Sequence, residues 1–252
     1  MTQDETSWEK VDSWYDDIVG KEGHYYHQHV VIPGVLKLLA LPKKASLLDL
    51  ACGQGILSRA IPKEVTYQGV DLAPSLIKAA KKHSTTPHTT FAVGDICSPL
   101  TLPQKFTHAS LILAIQNLLA PEKALQQASS ALEPKGTLVI VMNHPCFRLP
   151  RQSHWGIDPT QKIQYRRIDR YLTPLKIPIQ THPGKQEVST TWSFHHPLSH
   201  YINWLGEADF VVTKMEEWIS PKVSTGKYAK MENRARTEFP LFLAIKAEKR
   251  YI

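Results

Sequence analysis

The chain has 252 residues, of which 42% are hydrophobic and 21% charged, and this balance predicts a packed globular protein rather than a disordered chain. Lys and Arg outnumber Asp and Glu by 30 to 23, and the resulting +7 suits an anionic small substrate, a nucleic acid or a membrane surface, so it selects none of them. Neither the polar start from Met1 to Lys10 nor any later segment has the apolar run of a signal peptide or a membrane-spanning helix. Three widely spaced cysteines (Cys52, Cys97 and Cys146) favour neither a disulfide framework nor a CxxC site, so we expect a cytoplasmic protein.

Short apolar runs alternate with helical patterns along most of the chain. The predicted strands are 46–51, 66–70, 90–93, 108–113, 137–142, 189–194, 210–215 and 241–246. The predicted helices are 33–40, 56–61, 74–83, 121–132 and 198–208, and a polar loop is predicted at 220–238. This alternation indicates βαβ units and a mostly parallel sheet, in which ligands bind beyond the carboxyl ends of the strands.

Residues 143–186 interrupt the alternation. They contain six prolines and eight basic residues against two acids, a difference of +6 that is nearly the whole excess charge of the protein. Because the segment is too long for an ordinary connection in a compact domain, we expect an inserted basic cap over a binding site.

The turn after the first strand, Asp49 to Gly55 (DLACGQG), has small residues at positions 51, 53 and 55. Such residues let the backbone turn tightly and approach a ligand, and the predicted helix that follows would favour a negative group. The turn differs from a GxGxxG loop because Ser58 stands at the third glycine position, and no Gly-Lys follows as in a P-loop. Asp49 would repel a pyrophosphate but attract an ammonium group, so the turn predicts a zwitterionic or sulfonium ligand.

Two further acids follow the next two predicted strands. Asp71 ends the second strand, where a carboxylate can accept both hydroxyls of a ribose. Asp95 ends the third strand, where it could accept from an exocyclic adenine amine. Each acid alone is typical of a turn or a helix cap, whereas three acids at successive strand ends indicate one site.

With these residues the sequence resembles the class I S-adenosylmethionine-dependent methyltransferases. Asp49–Gly55 is similar to their first motif, Val70-Asp71 to their ribose-binding acid and Gly94-Asp95-Ile96 to their adenine motif, and the closing segment 196–210 is similar to the branch that includes quinone-biosynthesis methyltransferases. The resemblance covers about 10–142 and 190–247. Ala51 replaces a glycine of the family pattern, Thr107 an Asp, and Gln116-Asn117 a His-His pair.

The resemblance implies an α/β, Rossmann-like fold: a seven-stranded, mostly parallel sheet with helices on both faces and an inserted basic cap. It implies an N-terminal helical lid at 1–45, a methyltransferase domain at 46–252 and the cap at 143–189. The cofactor would be S-adenosyl-L-methionine, and the residues expected to bind it are Asp49, Ala51, Gly53, Gln54, Gly55, Asp71, Leu72, Asp95, Ile96 and Leu111.

By the same resemblance, the methyl acceptor would enter at the ends of the fourth and fifth strands. The residues expected to bind it are Tyr25, Tyr26, His29, Gln116, Asn143, Arg148, Tyr165 and Arg166. His144 is the candidate general base, with the alternative that it only caps a strand or packs beside Pro145. Arginines of the cap would suit a small acceptor bearing carboxylate or phosphate, and the alternative is a solvated basic face.

Other functions stay open at this level. A basic cap would also suit an RNA methyltransferase, and a cofactor-binding protein without transfer activity would share the same motifs. His195, His196 and His200 have no HExxH pattern or cysteine partner, so we expect no metal site. Asn143 to Phe147 is similar to the Asn-Pro-Pro-aromatic motif of amino-methylating nucleic-acid enzymes, but it follows the fifth strand instead of the fourth.

Overall fold

The structure is a computed structural model that describes residues 8–9, 23–84, 86–180 and 190–251. The expected N-terminal lid and the expected cap lie partly outside these ranges. The boundaries of these two segments therefore stay predictions.

Seven strands form one central sheet. They are β1 (Ser46–Leu50), β2 (Thr66–Asp71), β3 (Thr89–Val93), β4 (Phe106–Ile112), β5 (Leu132–Asn143), β10 (Phe210–Trp218) and β11 (Phe242–Lys249). Their order is β3-β2-β1-β4-β5-β11-β10, and β11 runs antiparallel to both of its neighbours. The predicted seven-stranded, mostly parallel sheet is confirmed, and the carboxyl ends of its first five strands lie at one edge.

Helices cover both faces of this sheet. They are α1 (Ile32–Leu39), α2 (Pro74–His83), α3 (Pro121–Ala131), α4 (Leu198–Glu207) and α5 (Ala229–Glu238). Successive side chains of a strand point to opposite faces, so Leu47 packs in one core with α1 and α2 while Leu48 packs in the other with α3 and α4. Pro74 and Pro121 stand in the first turns of α2 and α3, where a missing backbone N–H costs no hydrogen bond.

Four strands outside the central sheet, in and next to the inserted segment, form two antiparallel pairs. β6 (Ser153–Asp158) pairs with β7 (Ile163–Ile168), and β8 (Leu175–Gln180) pairs with β9 (Thr190–His195). The strand predicted at 189–194 therefore exists, but its partner is β8 rather than a strand of the central sheet. The described part of the chain holds no helix long and apolar enough to cross a bilayer.

Two predicted elements are wrong. The loop expected at 220–238 contains α5, whose only buried residue is Ala235, so the sequence has no apolar stripe from which a helix could be recognised. The helix expected at 56–61 is a short 3₁₀ turn at Leu57–Arg59, which Pro62 keeps from lengthening.

A substitution at Gly55 would test how closely the turn after β1 is packed. It has a φ of +73°, and a Cβ added there would lie 2.9 Å from the Phe91 ring and 3.2 Å from the Ala80 Cβ of α2. We expect Gly55→Ala to lower the free energy of unfolding by about 2–4 kcal/mol, because it adds a strained φ and a steric clash.

Gly206→Ala is the matched control, since Gly206 lies in α4 and a Cβ there would have no neighbour within 4 Å. We expect it to leave the free energy of unfolding unchanged or to raise it by up to about 1 kcal/mol. Urea unfolding measures both variants. Equal effects of the two substitutions would contradict the packing described for Gly55.

Candidate functional site

A cleft of about 320 Å³ lies at the carboxyl edge of the central sheet. The residues that line it include Ala51 after β1, Asp71 at the end of β2, Asp95 after β3, Leu113 after β4 and Asn143 at the end of β5. The chain therefore brings its strand ends to one concave site, which is where open α/β sheets bind ligands.

The turn after β1 forms one wall of this cleft through a left-handed backbone. Ala51, Gly53 and Gly55 have φ values of 53°, 54° and 73°. Ala51 takes this conformation despite its Cβ, at a cost of roughly 1–2 kcal/mol that a packed neighbourhood must offset. Ala51 and Gly53 line the cleft, so the backbone itself can approach a ligand.

Asp71 fixes this turn from the neighbouring strand. Its Oδ2 accepts a hydrogen bond from the Gly53 N–H at 2.8 Å and its Oδ1 accepts one from the Ala73 N–H at 2.9 Å. Burial raises the pKa of Asp71, while these backbone donors favour the ionised form. A carboxylate has about four acceptor positions, so Asp71 can still accept from a ligand in the cleft that it lines.

Asp95 is half-buried and lines the cleft beside Gly94 and Ile96. Its Oδ1 accepts from the Cys97 N–H at 2.9 Å and its Oδ2 from the Ser98 hydroxyl at 2.8 Å. These two donors hold the carboxylate in one orientation at the edge of the cleft.

Asp49 lies beneath the turn and does not line the cleft. Its carboxylate accepts hydrogen bonds from the Tyr67 hydroxyl at 2.6 Å and the Ser110 hydroxyl at 2.7 Å. Burial raises its pKa to about 6, and these two hydroxyls partly oppose that shift. Both carboxylate oxygens of Asp49 thus point toward β2 and β4, so attraction of an ammonium group by Asp49, which stays a prediction, would act through water or at a distance rather than by contact.

The predicted cofactor residues divide into two sets. Those that line the cleft are Ala51, Gly53, Asp71, Leu72, Asp95 and Ile96, and those that do not are Asp49, Gln54, Gly55 and Leu111. Gln54 and Leu111 are buried in the protein, as Asp49 and Gly55 are. The second set supports the walls of the cleft from behind.

On the side of β4 and β5, the cleft presents amide groups. Leu113 has a φ of 54°, and its carbonyl accepts from the Gln116 Nε2 at 2.9 Å. The Gln116 Oε1 is buried with no hydrogen-bond partner, and Gln116 and Asn143 both line the cleft as predicted. A buried acceptor without a donor indicates that a ligand or ordered water completes its hydrogen bonding.

His27 also lines the cleft, and the sequence analysis did not include it among the site residues. It is the first residue of a π-helical turn, His27–Val31, a rare geometry that is frequent at functional sites. Its buried Nδ1 has no hydrogen-bond partner, and burial lowers its pKa to about 4, so the ring is neutral at neutral pH. The histidines at positions 24, 27 and 29 were the sequence feature that could have indicated this site. Which of them faces the cleft depends on the π-helical turn, which has one more residue per turn than the sequence pattern of an α-helix predicts.

The other N-terminal residues predicted to bind the acceptor lie outside the cleft lining. Tyr25 and His29 stack on each other with ring centroids 4.4 Å apart. Tyr26 packs edge-on against Phe242, and its hydroxyl lies 3.1 Å from the Ser220 hydroxyl. These three residues attach the start of the helical segment to the end of the sheet.

His144, the candidate base, faces away from the cleft. Its Nε2 lies 2.7 Å from the Glu217 Oε1 on β10, and its ring packs beside Phe147. Burial lowers its pKa against the opposing effect of Glu217. The preceding residue, Asn143, lines the cleft instead, because neighbouring residues at a strand end point in opposite directions.

The basic cap residues Arg148, Tyr165 and Arg166 do not line the cleft, although Pro150 and Ile179 of the inserted segment do. The described ranges contain no group of three or more His, Cys, Asp or Glu side chains placed to hold a metal ion. His196 and His200 pack their rings against Trp204.

Asp49 and His27 contribute to the pH dependence of stability with opposite signs. Asp49 has a pKa of about 6 in the folded chain against 3.8 when unfolded, so its contribution to the free energy of unfolding falls by roughly 3 kcal/mol between about pH 4 and 6. His27 has a pKa of about 4 against 6.5, so its contribution rises by roughly 3 kcal/mol between about pH 4 and 6.5.

Relative to the wild type, Asp49→Asn should therefore gain free energy of unfolding as the pH rises through this window. His27→Gln should lose it over the same window, because the wild-type advantage of a neutral buried ring grows with pH. Urea unfolding at a series of pH values measures both differences. If the difference in free energy of unfolding between a variant and the wild type does not change with pH, the burial described for the substituted residue is contradicted.

Comparison with known proteins identifies the family to which the chain belongs. A family model described as a methyltransferase domain matches residues 24–214, which is most of the chain. The 2-phytyl-1,4-naphtoquinone methyltransferase of Thermosynechococcus vestitus is 28% identical over 194 residues, covering 69% of this chain and 86% of that protein. The demethylmenaquinone methyltransferase of Chlamydia pneumoniae is 30% identical over 112 residues, which is 43% of this chain and 47% of that protein.

A solved structure of an S-adenosylmethionine-dependent methyltransferase from Mesorhizobium loti has the same fold. It superimposes with a TM-score of 0.66 at 24% identity, and the match covers 86% of this chain and 96% of that one. The strand order and the glycine turn after β1 agree with this likeness. The chain belongs to the methyltransferase domain family and is a class I S-adenosylmethionine-dependent methyltransferase.

Proposed function

We propose that this enzyme transfers the methyl group to a small, uncharged and largely apolar acceptor bound at the β4 and β5 side of the cleft. The proposal rests on one observation: among the residues that the structure describes, one side of the cleft carries acidic side chains and the other side is uncharged. Asp71 and Asp95 supply acids on one side, whereas the described residues that line the other side, drawn from 112–118, Asn143 and 143–180 of the inserted segment, include no charged side chain. An acceptor with a charged group would lack a partner on that side.

The residues on the acid side fit the cofactor. Asp71 retains acceptor positions for ribose hydroxyls, Asp95 can accept from the adenine amine, and the left-handed turn at Ala51 and Gly53 leaves room for the amino-acid end. S-adenosylmethionine supplies a methyl group on a positive sulfonium, already activated for in-line transfer. The carboxylates beside the cleft favour a cation there, and the apolar lining excludes water from the neutral side.

The neutral side combines apolar surface with a few amide and hydroxyl groups. Ile112, Leu118, Pro150 and Ile179 line it, and Gln116, Asn117, Asn143 and Ser193 supply the polar groups. Such a lining suits a ring with one or two oxygen substituents, since apolar contacts supply affinity and single hydrogen bonds fix orientation. The naphtoquinone and menaquinone relatives support an acceptor of this kind.

His27 is the residue we assign to the acceptor's proton. Apart from Asp71 and Asp95, it is the one titratable side chain that lines the cleft within the described ranges. Its Nδ1 is buried without a hydrogen-bond partner, and rotation of the ring would turn a neutral imidazole nitrogen toward the acceptor hydroxyl, whose proton it can accept as the methyl group arrives. His144 is held by Glu217 and has no part in this proposal.

A methyl-transfer screen with labelled cofactor and fractionated cell extract tests the proposal. The label should appear in the fraction extracted by organic solvent, and label confined to RNA or protein would contradict a small apolar acceptor.

Asp71→Asn should weaken binding of S-adenosylmethionine about tenfold to a hundredfold in calorimetry, because one charged hydrogen-bond acceptor is lost. Asp158→Asn is the matched control, since Asp158 accepts from backbone N–H groups in a hairpin turn away from the cleft, and it should bind normally.

Asp71 is buried and bonded to two backbone groups, so each Asp71 variant needs a parallel measurement of unfolding. A loss of affinity in a folded variant supports the site. Normal affinity of folded Asp71→Asn would remove Asp71 from the cofactor site.

With the acceptor found in the screen, His27→Gln should lower kcat by about a hundredfold, a usual size for loss of a general base. The dissociation constant of the cofactor should change little. His29→Gln is the matched control, because His29 is exposed two residues further on and stacks on Tyr25. A kcat that is the same for both variants would exclude His27 from proton transfer.

A further inference from the structure

A cluster of positive charge lies outside the cleft, on and beside the β6–β7 hairpin. It consists of Arg148, Arg166 and Trp155, and we call it the arginine site. None of the three residues lines the cleft. The family resemblance implied that both arginines bind the acceptor, whereas the structure places them outside the cleft lining.

The β6–β7 register builds the arginine site. Trp155 on β6 lies directly opposite Arg166 on β7, so the two side chains share one face of the hairpin. The Arg166 Cζ lies 5.1 Å from the centroid of the Trp155 ring, and the Arg148 Cζ lies 5.7 Å from it. Both guanidinium groups therefore gather around one indole ring, within the range of cation–π attraction.

Arg166 is held rigidly in this position. Its Nε donates to the Phe147 carbonyl at 2.8 Å and its Nη2 to the Ser153 hydroxyl at 2.6 Å. Ser153 in turn donates to the Leu149 carbonyl at 2.8 Å. The guanidinium is thus oriented before any ligand arrives, which reduces the entropy lost on binding.

The arginine site has positive charge without a matching acid. Across the described ranges, neither Arg148 nor Arg166 forms an ion pair, and the Arg148 Nε is buried with no acceptor. Burial and the charge of Arg166 lower the pKa of Arg148 to about 10. Glu217 is hydrogen-bonded to His144 and forms no ion pair with Arg148 or Arg166.

The next residue along β7 shows the contrast. Arg167 points to the other face of the hairpin, is exposed and pairs with Asp169 at 2.6 Å. Within the described ranges, the segment thus supplies an acid to the arginine on the solvent face and none to the two half-buried arginines.

We propose that Arg148 and Arg166, with the Trp155 ring beside them, form an anion-binding site for a single carboxylate or phosphate group. An anion there would accept from the outer (Nη) nitrogens of Arg148 and from the Arg166 Nη1, which the two internal hydrogen bonds of Arg166 leave free. It would also relieve the repulsion between the two guanidinium groups. The site is independent of the cleft and of the acceptor proposed above.

Calorimetry and thermal unfolding of the full chain test this site with three probes: inorganic phosphate, methyl phosphate and acetate, each balanced by chloride to constant ionic strength. We expect at least one probe to bind and to raise Tm. Arg148→Gln should weaken that binding about tenfold or more, because a charged hydrogen bond and one of two cations are lost. Arg167→Gln, the matched control on the opposite face, should bind within about twofold of the wild type.

The probes distinguish the source of the anion. Binding of methyl phosphate as well as inorganic phosphate would indicate a phosphorylated small molecule, binding of inorganic phosphate alone a free ion, and binding of acetate a carboxylate. Without added anion, Arg148→Gln should have a Tm equal to or above that of the wild type, since it removes repulsion between like charges.

Two results would overturn the proposal: no probe raises Tm of the wild type, or Arg148→Gln and Arg167→Gln respond equally to the probes. Binding of S-adenosylmethionine should be unchanged in both variants. If the cofactor failed to bind the wild type, that failure would count against the proposed function and would leave the test of the anion-binding site unaffected.

Discussion

The hydrogen bonds of Asp71 are the constraint on which the site depends. One carboxylate links three segments: the end of β2 that carries it, the turn after β1 through the Gly53 N–H, and the start of α2 through the Ala73 N–H. These donors hold the turn in its left-handed conformation and keep a buried acid at the wall of the cleft. The same group therefore shapes the binding site and supplies part of its charge, so structure and ligand recognition cannot be separated at this residue.

A second acid, Asp49, strengthens this arrangement from below. Its charged neighbour Asp71 adds to the effect of burial in raising its pKa, so the two carboxylates beneath and beside the turn repel each other. A cation in the cleft would reduce that repulsion, whereas a pyrophosphate would increase it. We propose that the acids favour the sulfonium cofactor over a dinucleotide through their electric field as well as through contacts, so that Asp49 would need no direct contact with the ligand.

The sequence predicted the sheet, the glycine turn and the meeting of Asp71 with Asp95, because strand ends and their connections are local properties that a parallel sheet brings together. It did not predict which side chains face the cleft. Asn143 and His144 are adjacent, yet only Asn143 lines it, and one extra residue in a π-helical turn presents His27 in place of Tyr26 or His29. Orientation at a strand end or an irregular helix depends on packing partners far along the chain, such as Glu217 for His144. The polar helix α5 was missed because its amphipathic pattern is too weak.

The inserted segment illustrates why net charge did not identify the acceptor. Its excess of +6 suggested a basic cap, but among its described residues after Asn143 those that line the cleft are Pro150 and Ile179. The register of the β6–β7 hairpin sends Arg166 to one face with Trp155 and Arg167 to the other with Asp169. We therefore propose that the uncharged lining in direct contact with the acceptor selects a neutral group, while the arginines on the hairpin recognise a different anion.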